Sequence, residues 1–566
     1  MRPVLYFSRF LGNIILNNFG KNQIRNYTRQ ITGIVNLDEN TLTGRLKIYL
    51  KSQNTNSSQN NEIFNAEEVF SEFRKGNVDL VNLPCNKLIS FINSLESKEI
   101  VNSNREFYRI LKQVDNESCS KQQYLTPVDF LNILDAYMEL IPNKVTELKF
   151  YNIAIDYLNS VKDQLLKNEY FRFIFYISLM KKSAKSQKIL RSTLRLLTND
   201  NINQLSSEEL CIIAYSTFKT STKISNKNIL AKIRNYLNDN LTLLKDPAIF
   251  VTLIKSLRQN RYCDEDLLAT ISCALFFNKS FELYTFQTYT HLLALYSDNL
   301  YYDDKLLEFV TKKCIEELKS YTTDKTGSKK IREKDIVRFV WGLSNLGSTH
   351  LKREDIQEVL IPKIIERIES SKFDLNARIN IFHRLWILHY KCYELLPYIF
   401  ESGNNLEEVL RNRNHKQKWN QLLTCIFHED LPLFKKINIR PHGENSFYLP
   451  QHLKDRPCLE NILRSLKYIG IKMDMKFEVG YQIPYMNILG ITGYTKNIIK
   501  VVNIEVLDHF TTLKNTDNRP TGLMQMKLRI LDGFEEALIV IKEKDLEQLT
   551  ESEVEQFLQD ELNLVC

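Results

Sequence analysis

The feature that most constrains the fold of this chain is a series of similar apolar segments, each typical of the start of a helix. They recur about every 40 residues. Copies lie near Asp129, Phe171, Glu209, Phe250, Tyr289, Asp335 and Arg378. Glycine and proline, which interrupt helices, number only 16 and 13 in 566 residues. The period is typical of two-helix repeats, because one amphipathic hairpin cannot bury its apolar stripe alone. The sequence therefore predicts a mainly α-helical repeat array, an α-solenoid, over residues 65–440.

One copy, the segment DIVRFVWGLSNLGS that begins at Asp335, shows why each opening predicts a helix. Its apolar residues fall three or four apart and form one stripe, at Ile336, Val337, Val340, Leu343 and Leu346. Asp335 lies near the start, where an acid favours the helix dipole, and Gly347 lies where a left-handed C-cap is expected. We predict that Trp341 and Trp386 are packed helix residues rather than surfaces on which bases stack.

A different pattern occupies residues 497–549. Ile498–Val506 is almost continuously apolar and rich in β-branched residues, which predicts a strand buried on both faces. Leu523–Leu531 has helical spacing, and Ala537–Ile541 predicts a second buried strand. Strand, helix and strand within about 45 residues indicate a crossover unit with parallel strands.

The residues before this unit predict the rest of a small α/β domain, which spans residues 458–566. Residues 441–457 are rich in proline and glycine and indicate a linker. Leu459–Ile469 predicts an amphipathic helix that ends at Gly470. Met475–Leu489 predicts two short strands broken at Gly480.

Several short motifs follow one another in this C-terminal part: VNIEV at 502–506, Asp508-His509-Phe510, Thr521-Gly522, Gly533-Phe534, and LIVI at 538–541. Their order resembles the RAP domain, a small α/β module at the C-terminus of organelle RNA-processing proteins. The segment FVWGLSNLG at 339–347 is similar to the repeats of FAST-kinase-like mitochondrial proteins and of octotricopeptide or heptatricopeptide repeat proteins, which often end in a RAP domain. The resemblance implies a restriction-endonuclease-like α/β fold.

An RNA endonuclease of that fold would need acids on adjacent strands, because such nucleases use them to hold a divalent metal. The resemblance makes Glu505, Asp508 and His509 the candidate ligands or acid–base groups. The family usually has an acid on the early strand, where this chain has Asn487, and its glycine turn before His-Phe is missing here. We therefore expect no catalytic residue, no metal and no cofactor, and an RNA endonuclease is kept as the second alternative. The sequence contains no phosphate-binding glycine loop, nucleophile elbow or kinase motif set.

Three groups of basic residues are the predicted RNA contacts, because a basic helix face can follow a phosphate backbone. The first group shares one helix face, with Lys182 beside it: Lys181, Lys185, Lys188, Arg191 and Arg195. The second, next to His415 and Trp419 and followed by Lys435, Lys436 and Arg440, comprises Arg411, Arg413, Lys416 and Lys418. The third consists of Lys527 and Arg529 on the crossover helix. The alternative interpretation of such a row is an ordinary solvated helix face. Aromatic rings between the cations favour RNA contact, because they can stack on unpaired bases.

Residues 1–30 are basic, amphipathic and free of acids, with Arg2, Arg9, Lys21, Arg25 and Arg29. This pattern predicts a mitochondrial presequence and a matrix location, with a disordered basic terminus as the alternative. Residues 31–64, which include the polar run Ser52–Asn61, predict a polar linker. The ten cysteines lack metal-site spacing and are predicted to be reduced thiols, and no apolar run reaches transmembrane length.

These features predict a mitochondrial RNA-binding protein that acts in organelle RNA processing, rRNA stabilisation or mitoribosome assembly. A formal charge of +8 permits a nucleic-acid partner. The expected partners are organelle RNA (rRNA or mRNA) and mitochondrial ribosomal proteins, with no membrane span and no small-molecule substrate. The first alternative is a permanent component of a divergent mitochondrial ribosome that holds rRNA fragments in place. Stoichiometric co-sedimentation with the assembled ribosome would distinguish that component from a transient factor.

Overall fold

The computed structural model describes residues 41–53, 75, 83–95, 104–240, 246–262, 264–277, 284–320, 331–370, 373–400, 410–441, 449–495 and 501–565. The chain divides into two compact units, Met1–Tyr262 and Cys263–Cys566. Its described part is mainly helical, with one small sheet near the C-terminus. No described helix is both long and apolar enough to cross a membrane. The predicted presequence and most of the polar run Ser52–Asn61 lie outside the described residues.

The first unit consists of helices and connecting turns wherever it is described. Its helices are α1 (Leu42–Ser52), α2 (Cys85–Ser94), α3 (Asn104–Ser120), α4 (Pro127–Leu140), α5 (Lys149–Ser160), α6 (Lys167–Leu179), α7 (Ala184–Leu194), α8 (Asn199–Asn203), α9 (Ser207–Thr220), α10 (Lys227–Asp239) and α11 (Pro247–Gln259). Short 3₁₀ turns follow α3 and precede α5, at Lys121–Tyr124 and Val145–Glu147.

The predicted rhythm of helix openings is present in this unit, because α4, α6, α9 and α11 start about 40 residues apart. Local chemistry sets two of these starts. Thr126 and Asp129 form a capping box at α4, and Ser206 and Glu209 form one at α9. Each helix of the set packs against the next one in the set. The sequence pattern therefore identified where these helices begin.

Helix α1 lies within residues 31–64, the segment predicted to be a polar linker. It packs against α6 and α9 and buries Leu46 and Leu50. Lys47 is also buried, and its ammonium donates a hydrogen bond of 2.9 Å to the carbonyl oxygen of Asp135. The linker prediction therefore does not hold for this stretch, because its short apolar stripe is covered by the neighbouring helices α6 and α9.

The second unit begins with another series of helices. They are α12 (Glu265–Phe277), α13 (Phe286–Asp298), α14 (Asp304–Ser320), α15 (Glu333–Asn345), α16 (Ile361–Glu369), α17 (Leu375–Ile387), α18 (Leu396–Phe400), α19 (Arg413–Glu429), α20 (Leu431–Ile437), α21 (Leu449–Lys454) and α22 (Pro457–Met473). The helical turns Arg353–Asp355 and Ile356–Leu360 lead into α16, and a 3₁₀ turn at Tyr393–Leu395 leads into α18. Helix α21 lies inside the predicted linker 441–457.

Packing of each helix on the next of a set continues in this unit, where α13, α15, α17 and α19 pack in sequence. Gly347 follows α15 with a φ of +54°, which confirms the predicted left-handed cap. Trp386 on α17 is buried, as predicted, whereas Trp341 on α15 is half-buried. The apolar stripe of α15 is buried at four of its five predicted members, and Val337 alone is half-buried.

The α/β part completes the second unit with β1 (Met475–Gly480), β2 (Gly490–Thr495), β3 (Val501–Leu507), α23 (Gly522–Asp532), β4 (Ala537–Lys542), α24 (Glu543–Leu546) and α25 (Glu551–Val565). The strand order is β1-β2-β3-β4. The first two pairs are antiparallel, and β3 and β4 are parallel with Ile504 opposite Ile539. The predicted crossover unit of two parallel strands and one helix is confirmed.

Two predicted boundaries and one predicted burial pattern in this part are wrong. Helix α22 continues through Gly470 to Met473, because Ile469 and Gly470 are buried where the helix packs against β1. The second strand of the hairpin is β2, and residues 481–489 form the loop before it. Strand β4 is an edge strand with Val540 40% exposed, so it is buried on one face rather than on both.

The sheet lies between two helical layers. Val502, Ile504 and Val506 of β3 face an apolar cluster that α22 and α25 complete. The alternate residues Glu505 and Leu507 face α23. Helix α23 also packs against α15, α17 and α19. The α/β part and these helices therefore form one compact unit, and the division of the chain falls at residue 262 rather than in the predicted linker 441–457.

Candidate nucleic-acid interface

The first predicted basic row lies on and beside α7. Ser183 caps this helix, since its hydroxyl accepts a hydrogen bond of 3.0 Å from the Ser186 amide. Ile189, Leu190 and Leu194 are buried, so the three-to-four spacing turns the opposite face of the helix to solvent. All six basic side chains are exposed: Lys181, Lys182, Lys185, Lys188, Arg191 and Arg195. We call these six residues the α7 row.

One member of the α7 row has an acidic partner. The ammonium of Lys185 lies 2.7 Å from a carboxylate oxygen of Asp156. These side chains are 44% and 60% exposed, so the ion pair is a weak surface contact. The other five cations form no ion pair in the part of the chain that the structure describes. Their charge is therefore available to an external anion.

The second predicted row divides between surface and core. Its first two residues are exposed and its last two are half-buried, namely Arg411 and Arg413, then Lys416 and Lys418. Lys418 donates a hydrogen bond of 2.7 Å to Oδ1 of Asn380, and burial lowers the pKa of its ammonium. Trp419 is fully buried, with its ring centroid 5.2 Å from that of Phe400. Trp419 therefore cannot supply the stacking surface that its place beside the row suggested.

Lys527 lies inside the α/β part, between α23 and the sheet. Its side chain is 0% exposed and forms an ion pair with Glu505, which is equally buried. The ammonium also donates a hydrogen bond of 3.1 Å to the carbonyl oxygen of Ile488. Burial lowers the pKa of Lys527 and raises the pKa of Glu505. The prediction that Lys527 contacts RNA is therefore wrong, because the cation has no path to a bound strand.

Arg529 joins α23 to the helices that precede the α/β part. Its Nε donates a hydrogen bond of 2.6 Å to Oε1 of Glu429, at the end of α19. Its terminal nitrogens donate to the carbonyl oxygens of Trp386 at 3.1 Å and Ile387 at 3.4 Å, where α17 ends. These partners use the donors of the guanidinium, so Arg529 holds two helix ends in place and does not fit its predicted role at an RNA surface.

Asp508 comes directly after β3 and is fully buried against Arg456, the residue before α22. Nε of Arg456 donates a hydrogen bond of 2.7 Å to Oδ2 of Asp508. Its terminal nitrogens donate to the carbonyl oxygens of Leu489 at 2.6 Å and Val506 at 2.7 Å. One guanidinium thus ties together the start of α22, the end of the β1–β2 loop and the end of β3.

The candidate nuclease residues are not arranged around one point. Glu505 and Asp508 each pair with a different buried cation, and His509 is exposed beyond the end of β3. Asn487 lies in the loop before β2 and not on a strand. Among the residues that the structure describes, no three His, Cys, Asp or Glu side chains group closely enough to hold a metal ion. The eight described cysteines are all free thiols. The two ion pairs give Glu505 and Asp508 structural roles.

A cleft that the sequence patterns did not reveal lies between α19, α20 and the loop before β2. Its volume is about 530 Å³, and its lining includes Phe427, His428, Phe434, Arg440, Pro484 and Tyr485. The ring centroids of Phe427 and Phe434 lie 5.2 Å apart with nearly perpendicular planes. Burial lowers the pKa of His428, which favours the neutral ring. We call this site the aromatic cleft.

Sequence spacing could suggest only part of the aromatic cleft. Phe427 and Phe434 are seven residues apart, but the end of α19 lies between them. Pro484 and Tyr485 come from a loop about 50 residues further along the chain, so only the folded chain brings them near.

Comparison with known proteins adds no family assignment, since no protein-family model and no curated protein matches this chain.

Proposed function

We propose that this chain is a mitochondrial RNA-binding protein that acts in organelle RNA processing, rRNA stabilisation or mitoribosome assembly. In this proposal the stacked helices form an α-solenoid, and the C-terminal α/β part is a RAP-like domain. The order of β3, α23 and β4 supports the second assignment. The recurring helix starts and the packing of each helix on the next of its set support the first.

The observation that carries the RNA-binding proposal is the α7 row, whose six exposed cations lie on α7 and at its two ends. Five of these cations form no ion pair among the described residues, so binding of phosphate does not first require an internal contact to break. Contact with phosphates releases counterions from the strand, which gives affinity that depends on salt and little on sequence. Single-stranded organelle RNA is the ligand we assign to this surface.

Charge reversal on the α7 row tests the proposal. We expect Lys188→Glu with Arg191→Glu to weaken binding of a fluorescent single-stranded 20-nucleotide RNA by about 10-fold or more. The slope of log affinity against log salt should also become shallower by about 1.4, since two phosphate contacts at about 0.7 each are lost. The control is Lys305→Glu with Lys312→Glu, which makes the same charge change at exposed lysines of α14.

The control variant should bind within about twofold of the parent, because acids interrupt its helix face at Glu308 and Glu316. Equal weakening by both variants would show that binding responds only to net charge, and the assignment of the α7 row would fail. Recovery of no organelle RNA above background after crosslinking and immunoprecipitation would remove the RNA-binding proposal altogether.

The mitochondrial location rests on the sequence of residues 1–30. We expect a chain that lacks these residues to remain in the cytosol while the rest of the chain still folds, because the segment precedes α1 and contributes no predicted repeat. Imaging of tagged proteins and circular dichroism measure the two outcomes. Import of the shortened chain would contradict the proposed presequence.

A further inference from the structure

The aromatic cleft offers flat apolar surfaces that are open to solvent. Phe427 is 44% exposed, although most phenylalanines of this chain's core are almost fully buried. Phe434 is half-buried and meets the Phe427 ring at an angle, so the two rings form adjoining walls. A volume of about 530 Å³ lies within the range of sites for small organic ligands. The cleft therefore has the size and surface to take a flat ring.

The charge of the residues around the cleft indicates which class of aromatic ligand fits it. Arg440 lines the cleft and is exposed, and Lys435 and Lys436 are exposed on the last turn of α20. None of the described residues that line the cleft is acidic. A ligand that joins an aromatic ring to a negative charge matches both properties, and a nucleotide has this composition.

The backbone conformation of the loop before β2 also indicates a ligand site. Tyr485 lines the cleft with a φ of +62°, in the left-handed region that residues other than glycine rarely adopt. Such conformations persist where the surrounding structure enforces them, and they cluster at ligand sites. The loop before β2 thus contributes Pro484 and Tyr485 to the lining of the cleft that Phe427 and Phe434 also line.

We propose that the aromatic cleft binds one unpaired base of a single-stranded RNA, with the adjoining phosphate held by Arg440. The inference rests on the proposed function and deepens it, since it assigns a base-stacking site in addition to the phosphate contacts of the α7 row. A stacked base gains contact that depends on its ring, whereas the α7 row responds to charge alone. The two sites are therefore separable by experiment.

The test compares two RNA probes, a 12-nucleotide oligouridine and a 12-nucleotide abasic ribose-phosphate strand of equal charge. We expect Phe427→Ala to weaken binding of the oligouridine by about 5-fold to 150-fold, the range found for stacked bases. Binding of the abasic strand should change by less than about twofold. Phe427→Trp should restore oligouridine binding, because an aromatic ring is again present. The control is Phe510→Ala, which removes a phenylalanine of similar exposure, 47%, that does not line the cleft.

Each outcome decides between the two proposals. If oligouridine binds the parent and Phe427→Ala does not weaken it, the stacking site is overturned while RNA binding stands. Equal weakening of both probes would also overturn it, since the loss would then not depend on bases. Failure of the parent to bind either probe would overturn both proposals. If Phe427→Ala leaves RNA binding intact but abolishes capture of a mitochondrial ribosomal protein, the cleft is a protein-docking site and our assignment is wrong.

Discussion

Replacement of Arg456 by methionine should strongly destabilise the second unit. The arginine is 1% exposed, and its guanidinium has three acceptors: Asp508, and the carbonyl oxygens of Leu489 and Val506. Methionine fills much of the same volume but donates no hydrogen bond. The substitution therefore leaves a buried carboxylate without its cation and two buried carbonyl oxygens without these donors.

The magnitude follows from these losses. Removal of one partner from a buried ion pair costs about 3–5 kcal/mol, because the remaining charge stays desolvated. Asp508 keeps hydrogen bonds from the amides of Phe510 and Thr511, at 3.1 and 3.2 Å, which limits this cost. The two carbonyl oxygens each add about 1 kcal/mol. Better apolar packing of methionine offsets part of the total, so we expect a loss of about 4 kcal/mol in the free energy of unfolding.

Tryptophan fluorescence during urea unfolding measures this loss, since Trp341, Trp386 and Trp419 all lie in the second unit. Arg464→Met on the exposed side of α22 is the control and should change the free energy by less than about 0.5 kcal/mol. Combining Arg456→Met with Asp508→Leu should recover part of the loss, because no buried charge is then left unpaired. A loss below about 1 kcal/mol for Arg456→Met alone would refute the reasoning.

Three further outcomes are expected. Gly522→Ala should cost about 2 kcal/mol or more in urea unfolding, since its Cβ would overlap the carbonyl oxygen of Ser344, whereas Gly533→Ala meets no atom closer than 3.4 Å and should be nearly neutral. Burial, followed by the charge of Arg384, holds the pKa of His383 well below its ordinary value of 6.5. The unfolded chain therefore binds the extra proton, and the free energy of unfolding should fall below pH 6.5 by up to about 1.4 kcal/mol per pH unit, a dependence that His383→Leu should reduce in unfolding curves at pH 7.5 and 5.5. The purified chain should not cleave labelled organelle RNA with magnesium; cleavage that chelation abolishes would support the nuclease alternative instead.

The helices could be predicted because their signals are local. Apolar spacing and end signals such as Asp335 and Gly347 act within one or two turns, and for α15 they predicted both the helix and its buried face. The strands β3 and β4 were also apparent from continuous apolar runs. The end of α22 was misplaced because Gly470 is buried against β1, a contact that local spacing does not encode.

The candidate site was predicted only where exposure follows from one helix. The α7 row faces solvent because its opposite side is apolar, which the sequence displays directly. Lys527 and Arg529 are two residues apart on α23 and lie on different sides of it, and both sides are covered, one by the sheet and one by α15, α17 and α19. The aromatic cleft was missed for the related reason that its walls come from separate segments.

The docking of α23 also sets an order of events during synthesis. The helices that α23 packs against, α15, α17 and α19, are synthesised before it. Gly522 follows Ser344 by roughly 180 residues, or about 10–35 s at ribosomal rates of about 5–20 residues per second. Arg529 follows its partner Glu429 by 100 residues, or about 5–20 s at these rates. For that time the carboxylate of Glu429 has no guanidinium to pair with, and the sulfur of Cys425 is uncovered where Met526 later lies 3.6 Å away. The nascent helices thus pass through a stage in which chaperones have an apolar surface to bind, and arrival of α23 ends it.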